Sequence, residues 1–134
     1  MEKRSNGWVL DTHALLWMVY GDRRLSKSAR AIMNSTEPLF YSAASFWEIA
    51  LKRAGKGFDF QIEDQWDRVL TEELNRIGVR RLEIEAADCR AVEDLPPHHR
   101  DPFDRMLVAQ TLRRNLGLLS RDTLLDAYAV KRAW

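Results

Sequence analysis

The sequence has 134 residues, of which 46% are hydrophobic and 31% charged, so it matches one globular domain and excludes a disordered or membrane-spanning chain. Its 21 basic and 20 acidic side chains give a net charge of +1, which argues against a polyanion binder that works by bulk charge. With one cysteine, Cys89, no internal disulfide is possible, and we expect a cytoplasmic protein.

The first part of the chain alternates short apolar runs with helical patterns. Residues 8–10 form an apolar run that predicts a buried strand, and the helical pattern after it ends at Gly21. This segment is too short and too polar to span a bilayer, so no membrane association is expected. Ser26 is the expected N-cap of a second helix, residues 39–41 predict another buried strand, and a helix is expected over about 45–54.

The second part continues the alternation. The remaining predicted elements are a helix over 63–76, a strand with one exposed face over 79–84, a helix over 85–95, a helix over 103–115, a buried strand over 118–120, a short helix from Asp122 and an extended segment over 128–134. Gly117 is expected to close the helix that precedes it, as a C′ glycine does. Cys89 is expected to be a small buried residue of its helix.

Three of the predicted strands, over 8–10, 39–41 and 118–120, are short and wholly apolar, which is typical of a parallel sheet covered on both faces. Right-handed crossovers bring the carboxyl ends of such strands to one edge, and ligands bind in the crevice beyond it. We assign residues 8–134 to a single domain and residues 1–7 to an N-terminal extension without an assigned role.

Four acidic residues fall at this edge. Asp11 directly follows the first strand, Glu48 lies one turn into the helix after the second strand, and Asp122 closely follows the strand over 118–120. Asp104 lies in the first turn of a helix, on its apolar face. Clustered carboxylates repel one another unless a cation joins them, and an all-carboxylate site without cysteine or histidine pairs favours Mg²⁺ or Mn²⁺ over Zn²⁺. Phosphodiester hydrolysis by metal-activated water is the chemistry that such sites usually serve.

Each acid also has an ordinary structural explanation. Acids that follow strands are often N-caps, and Asp104 in a first helical turn compensates the helix dipole. Glu48 is spaced to form a capping box with Ser45 and an ion pair with Lys52. These explanations account for the acids one at a time, but they do not explain why all four converge on one edge of the sheet.

The same acids lie in four motifs that resemble those of the PIN-domain nucleases, and above all the VapC-type toxins of bacterial toxin–antitoxin pairs. The motifs are LDTHALLW at 10–17, SFWEIA at 45–50, DPFDR at 101–105 and SRD at 120–122. The resemblance implies a three-layer α/β/α sandwich with a central parallel sheet, and Mg²⁺- or Mn²⁺-dependent cleavage of RNA. It also implies a cognate antitoxin and a homodimer. It places metal binding and catalysis on Asp11, Glu48, Asp104 and Asp122.

Five neighbouring residues are candidates for supporting the metal or binding the substrate: Thr12, Asp101, Arg105, Ser120 and Arg121. The resemblance assigns Asp101 a supporting place beside the metal ligands. Thr12 and Ser120 either bind metal waters or phosphate, or cap helices. Arg105 and Arg121 either contact RNA phosphate or pair with neighbouring acids.

The histidines are not expected to bind metal. His98 and His99 stand beside two prolines, where the sequence predicts an exposed loop. Two other functions stay open at this point. One is a catalytically silent PIN-like module that binds RNA or protein. The other is a different aspartate-based phosphoryl-transfer domain, such as a receiver domain, although such a domain needs an acidic pair after the first strand and a lysine after a late one.

Overall fold

A computed structural model describes residues 7–55, 57 and 62–134. Within these ranges the elements are β1 (Trp8–Leu10), α1 (Thr12–Tyr20), α2 (Lys27–Met33), β2 (Leu39–Ser42), α3 (Ala43–Ala54), α4 (Trp66–Arg76), β3 (Arg80–Leu82), α5 (Ala86–Asp94), α6 (Pro102–Arg113), β4 (Gly117–Leu119), a 3₁₀ helix (Thr123–Ala127) and β5 (Lys131–Ala133). Apart from Gly7, the extension predicted over residues 1–7 lies outside the described residues.

The five strands form one parallel sheet in the order β3-β2-β1-β4-β5. The central strand β1 pairs with two neighbours, so Trp8 lies beside Leu39 on one side and beside Gly117 on the other. Parallel pairing requires crossovers, and the helices that supply them cover both faces of the sheet. The predicted three-layer α/β/α sandwich is therefore confirmed.

Side chains of β1 point alternately into two hydrophobic cores, one on each face of the sheet. Trp8 and Leu10 pack in the larger core with residues of α1, α3 and α4. Val9 packs in the smaller core with Leu107 and Val108 of α6. A strand with apolar side chains on both faces is buried throughout, which explains why its sequence does not alternate.

Helix α3 begins two residues earlier than predicted. Ser42 is its N-cap and accepts a hydrogen bond from the Ala44 backbone N–H at 3.0 Å. Ser45 therefore lies inside the helix, and the capping box predicted for Ser45 and Glu48 is wrong. Helix α4 begins at Trp66, three residues later than predicted.

Gly117 does not close helix α6. The residue with left-handed backbone geometry after that helix is Asn115, with φ 54°. Gly117 is the first residue of β4, where a Cβ atom would lie 2.5 Å from Cζ3 of Trp8. A glycine is required here because β4 lies directly against the Trp8 ring.

Two further features bear on the sequence predictions. Cys89 is exposed, contrary to expectation, because α5 turns Asp88 inward and leaves the next residue on its outer side. None of the described helices has the length and apolar character needed to cross a membrane.

Candidate active site

All four predicted acids line one cleft of about 460 Å³ at the carboxyl ends of the central strands. Asp11 directly follows β1, Asp122 stands after β4, and Glu48 and Asp104 reach the cleft from α3 and α6. The convergence that the sequence predicted is therefore present in the structure.

Asp11 caps helix α1 and also faces the cleft. Its Oδ1 accepts a hydrogen bond from the Ala14 backbone N–H at 2.8 Å. Burial raises the pKa of Asp11, while hydrogen bonds from the Ser120 hydroxyl and from the Ala14 backbone act to lower it. Ser120 is itself fully buried, and its Oγ accepts the Asp122 backbone N–H at 3.1 Å. Ser120 thus contacts both the Asp122 backbone and the Asp11 side chain, while the N-cap of the 3₁₀ helix is Asp122 itself.

Glu48 is buried, and both of its carboxylate oxygens have a partner. Thr12 donates its hydroxyl to Oε1 at 2.5 Å, and Lys52 Nζ lies 2.6 Å from Oε2. Thr12 Oγ1 also lies 2.9 Å from Ser45 Oγ, so the Thr12 hydroxyl orients Glu48 instead of capping a helix. Since Lys52 occupies one oxygen, direct metal contact by Glu48 competes with this ion pair.

The carboxylates of Asp104 and Asp122 both face the imidazole ring of His99. The His99 Nε2 lies 3.2 Å from Asp122 Oδ2 and 3.5 Å from Asp104 Oδ2. Ligand atoms of these three side chains all lie within 4.8 Å of one another. His98 is exposed as predicted, but the His99 side chain is only 14% exposed, so the prediction of an exposed loop is wrong for His99.

The acidic cluster raises the pKa of Asp104 to about 7. Burial is the largest cause, followed by the negative charges of Asp101, Glu48 and Asp11. Asp101 also caps α6, since its Oδ1 accepts the Phe103 N–H at 2.8 Å. Burial and the neighbouring negative charges thus both disfavour the ionised form of Asp104. A divalent cation bound by carboxylate oxygens fits this donor set.

Arg105 does not line the cleft and forms no ion pair with the cleft acids, so the pairing considered for it is not found among the described residues. Its guanidinium donates to the backbone carbonyls of Val92 and Pro96 at 3.0 Å each, and to Tyr128 Oη at 3.2 Å. A planar group with five N–H donors can hold several carbonyls of a loop at once. Arg105 thus fixes the segment that carries His99.

The cleft also contains residues to which the sequence analysis assigned no part in the site. His13, Trp17, Arg24 and Lys52 line the cleft together with the predicted Arg121. The guanidinium carbons of Arg24 and Arg121 lie 4.7 and 5.9 Å from the centroid of the Trp17 ring. Within the described part of the chain Arg121 forms no ion pair with an acid, so the predicted pairing is not found. The contact of Lys52 with Glu48 could be predicted from the sequence, because the two residues have the i,i+4 spacing of an ion pair within a helix.

A family match over most of the sequence establishes which family this chain belongs to. A profile of the PIN domain family matches residues 8–131. The chain belongs to the PIN domain family. This membership excludes the receiver-type domain considered above. No curated protein is similar enough in sequence to be matched to this PIN-domain chain.

Several solved structures share the fold of this PIN domain. VapBC2 from Rickettsia felis bound to a promoter DNA fragment has a TM-score of 0.65 at 8% identity, over 94% of this chain and 96% of that chain. A toxin–antitoxin complex from Klebsiella pneumoniae has a TM-score of 0.64 at 15% identity, over 96% and 97%. FitAcB from Neisseria gonorrhoeae has a TM-score of 0.63 at 16% identity, over 93% and 95%.

Proposed function

We propose that this PIN-domain chain is a Mg²⁺- or Mn²⁺-dependent endoribonuclease and the toxin of a toxin–antitoxin pair. The proposal rests on one observation, which is that Asp11, Glu48, Asp104 and Asp122 line the same cleft. Burial and the neighbouring acids raise the pKa of Asp104 there to about 7. Membership of the PIN domain family and the shared fold with a toxin–antitoxin complex support it.

In this proposal the carboxylates of Asp104 and Asp122, whose ligand atoms lie within 4.8 Å of each other, would hold the cation. Asp11 and Glu48 line the same cleft and would act on the cation directly or through water. A divalent cation supplies activation of water and stabilisation of the leaving oxygen in phosphodiester hydrolysis when it is bound. The chain itself orients the carboxylates, since Ser120 hydrogen-bonds Asp11 and Thr12 hydrogen-bonds Glu48.

The proposed partners are RNA, a cognate antitoxin and a second copy of the chain, all met in the cytoplasm. The Klebsiella pneumoniae structure that shares this fold is a toxin–antitoxin complex, which supports the antitoxin. Beside the cleft, helix α3 exposes apolar side chains, with Trp47 60% and Leu51 51% exposed. The Trp47 ring packs edge-on against Phe103, with centroids 5.1 Å apart. An apolar surface of this kind suits a protein partner.

The proposal is tested by incubating purified protein with RNA in the presence of Mn²⁺, with and without excess EDTA. We expect cleavage with Mn²⁺, loss of cleavage in EDTA, and recovery when Mn²⁺ is restored, because in this proposal the bound ion activates the attacking water. Undiminished cleavage in EDTA, or with Asp11→Asn, would refute the metal mechanism. A protein that binds RNA but no divalent ion, measured by calorimetry, would be the silent module instead.

Arg121 is expected to bind a phosphate of the substrate. It is exposed at the rim of the cleft, near the acids but not paired with them among the described residues. In an Asp11→Asn background, which prevents cleavage, Arg121→Ala should weaken RNA binding regardless of sequence. It should also reduce the slope of log affinity against log salt by about 0.7, the value for one phosphate contact on a single strand. Fluorescence anisotropy at several salt concentrations measures this slope.

The matched control is Arg90→Ala, because Arg90 is an exposed arginine on α5 that pairs with Glu93 and Asp94 and does not line the cleft. An equal loss of affinity and of salt dependence in both variants would show that Arg121 contributes only general charge.

A further inference from the structure

His99 lies at the centre of the candidate site, although none of the predicted roles includes it. Its imidazole Nε2 faces Asp122 Oδ2 at 3.2 Å and Asp104 Oδ2 at 3.5 Å, and only 14% of the side chain is exposed. Two roles fit this position. Either the ring is a third metal ligand beside the two carboxylates, or it is a hydrogen-bond donor that positions them.

The other ring nitrogen decides between these roles. The backbone N–H of Asp101 donates to His99 Nδ1 at 3.2 Å. A backbone N–H can only donate, so Nδ1 is the acceptor and the ring proton lies on Nε2. A histidine that binds a metal through Nε2 has its proton on Nδ1 and donates it to a carboxylate, a carbonyl or water. His99 has the opposite arrangement, with an N–H directed at the two carboxylates.

Hydrogen bonds hold the backbone of His99 at its N–H and at its carbonyl group. Its N–H donates to Tyr128 Oη at 3.0 Å, and its carbonyl accepts from Arg105 Nη1 at 3.4 Å. Arg105 Nη1 also lies 3.2 Å from Tyr128 Oη, so these three residues form one connected network. Arg105 directly follows Asp104 on α6, and the network therefore ties the position of the His99 ring to the helix that carries one of its two acceptors.

The Asp122 carboxylate is contacted at both of its oxygens. Asp122 lies between β4 and the 3₁₀ helix, its side chain is 35% exposed, and its Oδ1 accepts the Leu124 backbone N–H at 3.0 Å. His99 supplies the contact to the second oxygen. We propose that His99 is a positioning residue whose Nε2–H holds the Asp122 carboxylate beside that of Asp104 as one chelating pair, without itself binding the cation. This inference rests on the proposed metal-dependent function.

The first test uses the unaltered protein with ¹⁵N-labelled histidine. Long-range ¹H–¹⁵N correlation spectra report which ring nitrogen carries the proton, and the His99 signals are those missing from His99→Gln. We expect the Nε2–H form both in EDTA and with saturating Mg²⁺. With Mn²⁺, pulsed electron paramagnetic resonance should show no coupling to a histidine nitrogen that His99→Gln removes. An Nδ1–H ring in Mg²⁺, or such a coupling in Mn²⁺, would overturn the proposal.

The second test measures Mn²⁺ affinity by calorimetry. His99→Leu should bind Mn²⁺ about 10- to 100-fold more weakly, the usual range for losing a group that orients a metal ligand. His99→Gln places an amide N–H near the position of Nε2 and should restore most of the affinity. Arg90→Leu, on the exposed side of α5 and outside the cleft, is the control and should bind as the wild type does. Wild-type affinity in His99→Leu would overturn the proposal.

The two tests also separate this inference from the proposed function. A wild-type protein that binds no Mn²⁺ would overturn both. A protein that binds Mn²⁺ through the His99 nitrogen would overturn only the positioning role and leave the metal-dependent function intact. If His99→Leu fails to fold, the spectra of the wild-type protein still decide the question.

Discussion

Replacing Asp104 with asparagine is expected to lower RNA cleavage by about 100- to 1,000-fold, the scale for removing one preorganised electrostatic group from an active site. The amide is close in shape to the carboxyl group, so the fold and the α6 helix should persist. It carries no negative charge and offers a divalent cation a far weaker ligand than a carboxylate. Mn²⁺ binding, measured by calorimetry, should weaken together with cleavage.

The same substitution is expected to stabilise the protein in the absence of divalent ions. The folded-state pKa of Asp104 is about 7 against an ordinary value of 3.8, because of burial and the charges of Asp101, Glu48 and Asp11. Between these two pH values Asp104 binds more protons in the folded chain than in the unfolded chain, so its contribution to stability falls as the pH rises. Asp104→Asn does not undergo this loss. Its advantage over the wild type should grow from about pH 4 to about pH 7 and stay constant above that.

Thermal unfolding in EDTA at several pH values measures this difference. Added Mn²⁺ should then raise the melting temperature of the wild type more than that of Asp104→Asn, because a ligand stabilises only the state that binds it. Asp94→Asn is the matched control, since Asp94 is 68% exposed at the end of α5 and does not line the cleft. The interpretation fails if Asp104→Asn is less stable than the wild type in EDTA at high pH, or if it retains full Mn²⁺ affinity.

The sequence predicted the sheet well because its signals are local. Runs such as Trp8–Leu10 and the strand at Leu39 are apolar on both faces, and only a doubly covered parallel strand has that pattern. The start of α3 was predicted two residues too late, at about Ser45, because the sequence does not show where the preceding strand ends. The choice of Ser42 over Ser45 depends on where β2 ends, which is set by pairing with distant strands.

The acids of the site were predictable because topology alone brings strand ends together. Asp11 and Asp122 needed no side-chain detail, only their positions after β1 and β4. His99 could not be found in the same way, because its place in the cleft depends on contacts with Arg105 and Tyr128, which lie up to 29 residues away in sequence. The contacts of Arg105 could not be predicted for the same reason, since an arginine beside an acid suggests an ion pair until the carbonyls that surround it are known.

The largest expected loss of stability comes from a charge network far from the cleft, where α5 packs against α6. Asp88 is fully buried, and Arg113 Nη1 and Arg114 Nη1 lie 2.5 and 2.8 Å from its Oδ1. Its Oδ2 accepts the Glu85 backbone N–H at 2.9 Å. Burial alone would raise the pKa of Asp88, but the hydrogen bonds from Arg114, from the Glu85 backbone and from Arg113 hold that pKa well below its usual range.

Asp88→Ala should therefore lower the free energy of unfolding by about 3 kcal/mol at neutral pH. This is the low end of the range for breaking a buried ion pair, because the two arginine side chains, 34% and 20% exposed, can regain water. A depressed carboxyl pKa stabilises the fold above about pH 4, and the stabilisation is lost as the pH falls further. The difference between wild type and variant in urea unfolding should accordingly shrink between about pH 5 and about pH 2.

Glu85→Gln is the control that separates burial from charge, because Glu85 pairs with the same Arg114 at 2.6 Å but is 61% exposed. The amide keeps a hydrogen-bond acceptor, and an exposed pair contributes less than about 1 kcal/mol. If Asp88→Ala costs no more than Glu85→Gln, the arginines stabilise α5 against α6 only as surface charges. A clear excess for Asp88→Ala, present at neutral pH and reduced in acid, would show that the buried carboxylate is what joins these two helices.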